Sequence, residues 1–312
     1  MLVSSRFEQS PKATPKMTLL TVTHRTEYRY AQPVRFNEHR LMCRPRDSHD
    51  LRLIDTRLSY SPNGSVRWLH DVFGNSIAII SFSEAADQLI IESSFDAEHY
   101  PAAQDHIWIE DYARTLPFNY AAEDVSDLGR TRERHYPDPE RRVDQWAKRY
   151  AEENHGGTLE TLIALVTAVK ERFTYRRREE MGTQTPLETL DLGSGSCRDF
   201  ALFMMEAVRS LGLAARFVSG YLYDETLLEA GAGVIGGGTT HAWMQVFLPG
   251  AGWVEFDPTN ALVGSRNLIR IAVARDASQA IPLSGSFVGA SGDDLGMIVD
   301  VTIAIAGQPE TP

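Results

Sequence analysis

His241-Ala242-Trp243-Met244-Gln245-Val246-Phe247-Leu248-Pro249-Gly250-Ala251-Gly252-Trp253-Val254-Glu255-Phe256-Asp257-Pro258-Thr259-Asn260 is the stretch on which the reading of this chain turns. Two short apolar runs flank a glycine-rich turn, Leu248 to Gly252, so the stretch reads as an antiparallel hairpin. In such a pair the first residue of one strand lies beside the last of its neighbour. His241 and Asp257 should therefore meet. An imidazole at the mouth of a strand is placed to act as a base, and a carboxylate beside it would fix its tautomer. Taken singly, such a histidine is more often structural or exposed, and an aspartate before proline is more often a turn residue.

A base with an orienting carboxylate implies a nucleophile. The chain has two cysteines. Cys197 follows Gly193-Ser194-Gly195-Ser196 and opens an apolar helix. Phe200, Ala201, Phe203, Met204, Ala207, Val208 and Leu211 form its buried stripe, and Gly212 ends it. Unpaired amides and the helix dipole favour a thiolate at that position. The Cys197 amide can also point at a developing oxyanion. A structural cysteine would more usually sit mid-helix. Cys43 is different: it lies in the alternating run Arg40-Leu41-Met42-Cys43-Arg44 and reads as a buried structural thiol. Cys197, His241 and Asp257 are also zinc-ligand types, but no Cys-x-x-Cys or His-x-x-x-His clip accompanies them. No metal and no cofactor is expected.

Outward from this centre, the first hundred residues alternate with period two. Leu20, Val22, His24, Thr26, Tyr28 and Tyr30 make one face, and Thr21, Thr23, Arg25, Glu27 and Arg29 the other. Leu51 to Tyr60, Val66 to His70, Ile77 to Phe82 and Leu89 to Phe95 supply further strands, and Ser61-Pro62-Asn63-Gly64 signals a hairpin. We assign residues 1–16 to a polar tail, with Met17 an alternative start, and 17–100 to an antiparallel β-sandwich. Residues 101–157 read as a helical linker, with helices over Asp105 to Leu116 and Pro139 to Glu153 and a polar stretch 121–138 between. Residues 158–306 form an α+β core. It holds an amphipathic helix from Thr158 to Phe173, a loop from Thr174 to Ser196, the Cys197 helix, strands Arg216 to Tyr223, His241 to Leu248 and Trp253 to Phe256, and a C-terminal strand from Met297 to Ala306. Gly231 to Thr240, with five glycines, reads equally as a gate over the site or as a loose connection.

Bulk properties narrow the function classes. The net charge is −11, which disfavours nucleic-acid partners, and Arg176-Arg177-Arg178 is too short to change that. No window is long and apolar enough for a membrane helix, and the first residues lack the apolar core of a secretory signal, so the expectation is a cytoplasmic protein without a membrane partner. Nothing indicates the oligomeric state.

Four blocks carry a family resemblance: Gly195-Ser196-Cys197-Arg198-Asp199-Phe200-Ala201, Gly212 to Tyr221, His241-Ala242-Trp243 and Trp253 to Asn260. In this order they resemble the bacterial transglutaminase-like superfamily. Tyr28 to Val34 and Arg40 to Arg46 resemble the β domain that precedes the core in one bacterial subgroup, that of transglutaminase-like cysteine proteases or amidases. The resemblance implies a papain-like core, with Cys197 as nucleophile, His241 as general base and acid, and Asp257 as orienting carboxylate. It implies thiol-dependent acyl transfer on a peptide or protein amide, to water (peptidase or amidase) or to an amine acceptor (transglutaminase). The competing readings are a non-catalytic binding or scaffold protein that has kept the fold and, behind it, a zinc site. Two departures stand out. Arg198 replaces a glutamine common in relatives, which would alter charge at the site mouth. Ala274 to Pro282 matches only loosely and would shape a different pocket.

Overall fold

Strict alternation from Thr18 onward gives an extended chain, and β1 runs Thr18–Phe36 with every second residue buried over its first half. The computed structural model describes residues 17–100, 107–178, 182–223, 240–290 and 292–305. After β1 come β2 (His39–Arg44), β3 (Leu51–Ser61), β4 (Gly64–His70), β5 (Ser76–Phe82) and β6 (Ala86–His99). Helices α1 (Ala122–Leu128), α2 (Arg142–Glu153) and α3 (Thr158–Arg172) lead to β7 (Thr174–Tyr175). Then follow α4 (Pro186–Leu192), β8 (Ser194–Gly195) and α5 (Cys197–Ser210). The remaining strands are β9 (Ala215–Leu222), β10 (His241–Leu248), β11 (Gly252–Asp257), β12 (Leu262–Val263), β13 (Leu268–Ala274), β14 (Leu283–Ser284), β15 (Phe287–Val288) and β16 (Asp294–Ile305).

The larger N-terminal sheet has the order β15-β1-β6-β3, with β16 also on β1, and the second has β14-β2-β5-β4. The core sheet is β12-β11-β10-β9-β13. Even-numbered residues of β1 share a face, and that face serves two cores. Leu20 and Val22 pack with Tyr221, Tyr223, Ile269 and Ile271 of the core sheet. Tyr30, Val34 and Phe36 pack with Leu41, Ala78 and Ile80 across the sandwich. The N-terminal sheet therefore meets the core sheet at its β9–β13 end. Farther along the same face, through Phe217, Ala242, Met244 and Val246, the sheet takes α5. Phe200, Phe203 and Met204 of α5 are buried there, each contributing roughly 1.5–3 kcal/mol of apolar burial.

A buried ion pair fixes α5 from its far end. Arg209 donates to Glu206 at 2.9 Å and to the carbonyls of Thr131, Ala215 and Arg275. Glu206 accepts the amides of His135 and Tyr136. Every charge here is answered, whereas removing one partner would strand the other at a cost of about 3–5 kcal/mol.

The structure corrects several expectations. The C-terminal strand does not join the core sheet: β16 pairs with β1, Val22 opposite Ile303 and His24 opposite Val301. The Asn63-Gly64 turn does not make a hairpin, because β3 pairs with β6 and β4 with β5. The turn instead carries the chain between sheets, which places Tyr60 against Phe82. Over the described part of the expected helix 105–116 there is only one 3-10 turn, Asp111–Ala113. Its amides are used elsewhere, Glu110 N–H on the Pro249 carbonyl and Leu116 N–H on that of Gly156, and Leu116 precedes a proline, which disfavours helix. The stretch 101–157 is no mere linker, since Val143, Ala147 and Tyr150 of α2 belong to the α5 core. The loop 174–196 contains α4. Thr185 accepts the Glu188 amide and Glu188 accepts that of Thr185, with Pro186 at the first helical position. That capping signal is legible in Thr185-Pro186-Leu187-Glu188. The proposed tail 1–16 lies outside the described residues.

Candidate active site

Cys197 is the first residue of α5, and the turn that presents it is locked by a carboxylate. Asp199, wholly buried, accepts the Ser196 amide and hydroxyl, both at 2.8 Å, the Gln184 amide at 2.7 Å and Arg178 Nη1 at 2.9 Å. Arg178, Gln184 and the helix N-terminus are thus tied to one residue. Gly195 admits this because a Cβ there would stand 2.8 Å from the Asp199 Cβ. Sequence reasoning quoted Asp199 but gave it no role.

His241 opens β10, and Asp257 closes β11. Their register pairs Met244 with Phe256 and Leu248 with Gly252, so Asp257 falls diagonally from His241 on the neighbouring strand. His241 Nε2 lies 2.8 Å from Asp257 Oδ2, and both side chains are fully buried. Asp257 also accepts the Thr259 amide at 2.9 Å and Asn260 Nδ2 at 2.9 Å. Burial alone would raise its pKa, but His241, Asn260 and Thr259 together hold it below the usual carboxylate range. An ionised carboxylate only accepts, so Nε2 carries the hydrogen and Nδ1 is the other ring position. Nδ1 is buried without a hydrogen-bond partner.

Burial by itself would lower the His241 pKa. The charge and hydrogen bond of Asp257, joined by the charge of Cys197, reverse that and push it up to about 10. Cys197 is thus the second group acting on the ring. The imidazole stacks on Trp243 at 5.8 Å between centroids and 26° between planes. Gly220 leaves room for the indole, since a Cβ there would meet Trp243 Cη2 at 2.6 Å. Asn260, Thr259, Trp243 and Gly220 were missed as site residues. Each lies in a quoted motif, but only the fold shows what it touches.

Arg198 is not at a site mouth. Its guanidinium lies over the Phe217 ring at 4.9 Å and donates to the Ala277 and Ala280 carbonyls at 2.6 and 3.3 Å. The loosely matching segment 274–282 is thereby fastened to α5. Residues 231–239 of the suggested gate lie outside the described residues. Among the described residues no three His, Cys, Asp or Glu side chains converge as a metal site requires, and no helix is long and apolar enough to cross a membrane.

Comparison with known proteins bears on the family and the fold. Residues 20–98 match the bacterial transglutaminase-like N-terminal region, and residues 144–258 match the transglutaminase-like superfamily. An uncharacterized protein of Mycobacterium leprae is 27% identical over 294 residues, covering 92% of this chain and 99% of its own length. An uncharacterized protein of Mycobacterium tuberculosis is 28% identical over 302 residues, covering 91% of each. A crystal structure of a candidate cysteine protease from Cytophaga hutchinsonii shares the fold, with a TM-score of 0.66 at 17% identity over 95% of this chain and 93% of that one. With its sandwich, its helix-borne cysteine and its core sheet in this order, the chain belongs to the transglutaminase-like superfamily, in the bacterial form that carries the N-terminal region ahead of the core.

Proposed function

We propose that the protein is a thiol-dependent acyl-transfer enzyme acting on amide bonds, with Cys197 as nucleophile, His241 as base and acid, and Asp257 as the orienting carboxylate. The observation that carries this reading is the buried 2.8 Å bond from His241 Nε2 to Asp257, with Cys197 as the other group acting on the imidazole. The proton of the thiol passes to Nδ1, the ring nitrogen left over by Asp257. The thiolate attacks the amide carbonyl, and the new oxyanion lies at the amino end of α5, where the Cys197 amide donates. The imidazolium then protonates the leaving amine, which departs as a thioester forms. Water or a primary amine, relieved of its proton by Nδ1, completes the transfer and restores the thiol. We favour water as acceptor, because it is always available, and hence a peptidase or amidase.

The test is a screen of glutamine-containing peptides with and without a primary amine, read by mass spectrometry for cleavage, deamidation and amine incorporation. Turnover that disappears in Cys197→Ala is the expected result. No turnover, no acyl-enzyme mass and no selective alkylation of Cys197 together would overturn the proposal.

A further inference from the structure

A cleft of about 670 Å³ opens between the sandwich and the core sheet, and it contains none of the three residues proposed above for catalysis. Its volume is of the order of small-molecule sites, roughly 300–1,000 Å³. Arg46 stands on the sandwich wall, and Arg216, Trp253, Glu255 and Arg270 on the core-sheet wall. Three arginines line the cleft with three carboxylates, Asp47, Asp50 and Glu255, but the pairing is uneven. Arg270 serves two carboxylates, Glu255 through Nη1 and Asp50 through Nη2 at 3.3 Å. Asp47 is engaged by the Leu53 amide at 2.5 Å.

Arg216 has no such partner. Its Nε donates to Gln245 Oε1 at 2.6 Å, its guanidinium lies 4.1 Å from the centre of the Trp253 ring, and no described carboxylate is paired with it. Burial, with the like charges of Arg270 and Arg46 beside it, pushes its pKa down to about 10 despite the opposing charge of Glu255. A half-buried cation costs free energy until an anion answers it. The indole and Gln245 hold this one still, so its fork is preorganised for a planar anion. Arg46, bonded among the described residues only to the Phe73 carbonyl at 3.3 Å, adds a second guanidinium near the first.

We propose that this cleft binds the carboxylate of an organic acid at Arg216 and Arg46, with the apolar body of the ligand against Trp253. The site is separate from the proposed nucleophile, with Trp243 between: the indole stacks on His241 on one side and donates to Glu255 at 3.4 Å on the other.

The test is isothermal titration calorimetry on the full chain at low salt, with 3-phenylpropionate, the neutral 3-phenylpropanol and inorganic phosphate. None of these has an amide bond, so turnover does not enter the readout. The acid should bind at least about ten-fold more tightly than the alcohol and weaken as salt screens the charge. Arg216→Gln should bring the acid down to the level of the alcohol. Arg46→Gln, on the exposed rim, should weaken it about three- to ten-fold and keeps the test decisive if Arg216→Gln does not fold. Equal binding of acid and alcohol, heat with phosphate alone, no heat with any probe, or an acid preference that survives both substitutions would overturn the proposal.

Discussion

Each half of the molecule holds one cysteine and a buried histidine, but His241 bonds a carboxylate where His24 bonds hydroxyls. On the sandwich side His24 bonds hydroxyls, Tyr221 at 2.9 Å and Thr26 at 3.3 Å. Burial pushes its pKa down to about 4, with Asp300 opposing too weakly to matter. Cys43, whose charge would also reach Tyr221, is pushed up to about 11 by burial in spite of Ser93 and Arg44. On the core side His241 is equally buried, yet Asp257 carries its pKa to about 10. Burial alone makes a histidine neutral and a thiol inert. A buried carboxylate with its own donors turns the same ring into a group that holds a proton.

The sharpest way to break this contrast is alkylation. Iodoacetamide at about pH 6 should label Cys197 and leave Cys43 untouched, as followed by peptide mass mapping. His241→Ala should slow labelling of Cys197 by about 10²-fold or more, the usual scale of a lost acid–base partner. Equal labelling of both thiols, or no effect of the substitution, would remove the activated thiol altogether.

Asp257→Ala should slow the same reaction less, by about ten-fold, because the base stays in place while its tautomer and orientation loosen. The direction with pH follows from the cause. With Asp257 the imidazolium persists up to about pH 10. Without it the effect of burial is no longer outweighed, so the imidazolium grows scarce at lower pH. The rate deficit should therefore already be present at pH 6–8. A rate profile that matches the wild type would show that Asp257 is not the source of the contrast.

The sandwich histidine predicts a stability effect. Its folded pKa of about 4 lies below the ordinary 6.5, so the unfolded chain binds a proton that the folded one refuses. Its effect is absent above about pH 6.5, and stability is lost as pH falls from there toward 4. The loss at pH 4.5 is roughly 2–3 kcal/mol. Urea unfolding of His24→Gln at pH 7 and pH 4.5 should show a difference smaller than that of the wild type by about this amount. Identical differences would mean that His24 is already free to protonate in the fold.

The smallest expected effect separates the carboxylate from the indole. Trp243→Phe keeps a ring under His241 but drops the 3.4 Å donation to Glu255, a loss of about 0.5–1.5 kcal/mol. Labelling of Cys197 should change by less than about three-fold. A fall as large as that of Asp257→Ala would make the stacked ring, not the carboxylate, the group that sets the imidazole.

What the sequence by itself determined is local. Period two from Leu20 to Tyr30 announces β1, the stripe from Phe200 to Leu211 announces α5, and the turn from Leu248 to Gly252 aligns β10 with β11 closely enough to bring His241 to Asp257. Thr185 to Glu188 carried the capping signal of α4 equally openly, and it is readable on the same terms. These patterns are visible because backbone geometry repeats over a few residues, and the side chains must repeat with it. The tertiary structure alone decided which sheet receives β16, that β3 and β4 part company after Asn63-Gly64, that Arg198 turns inward to the Ala277 and Ala280 carbonyls, and that Asp199 gathers donors from Arg178 and Gln184. Each of these depends on a partner that no periodicity specifies. Strand pairing is chosen by the face left uncovered after the other layers have packed, and a buried charge by the donors that remain when the chain has closed around it.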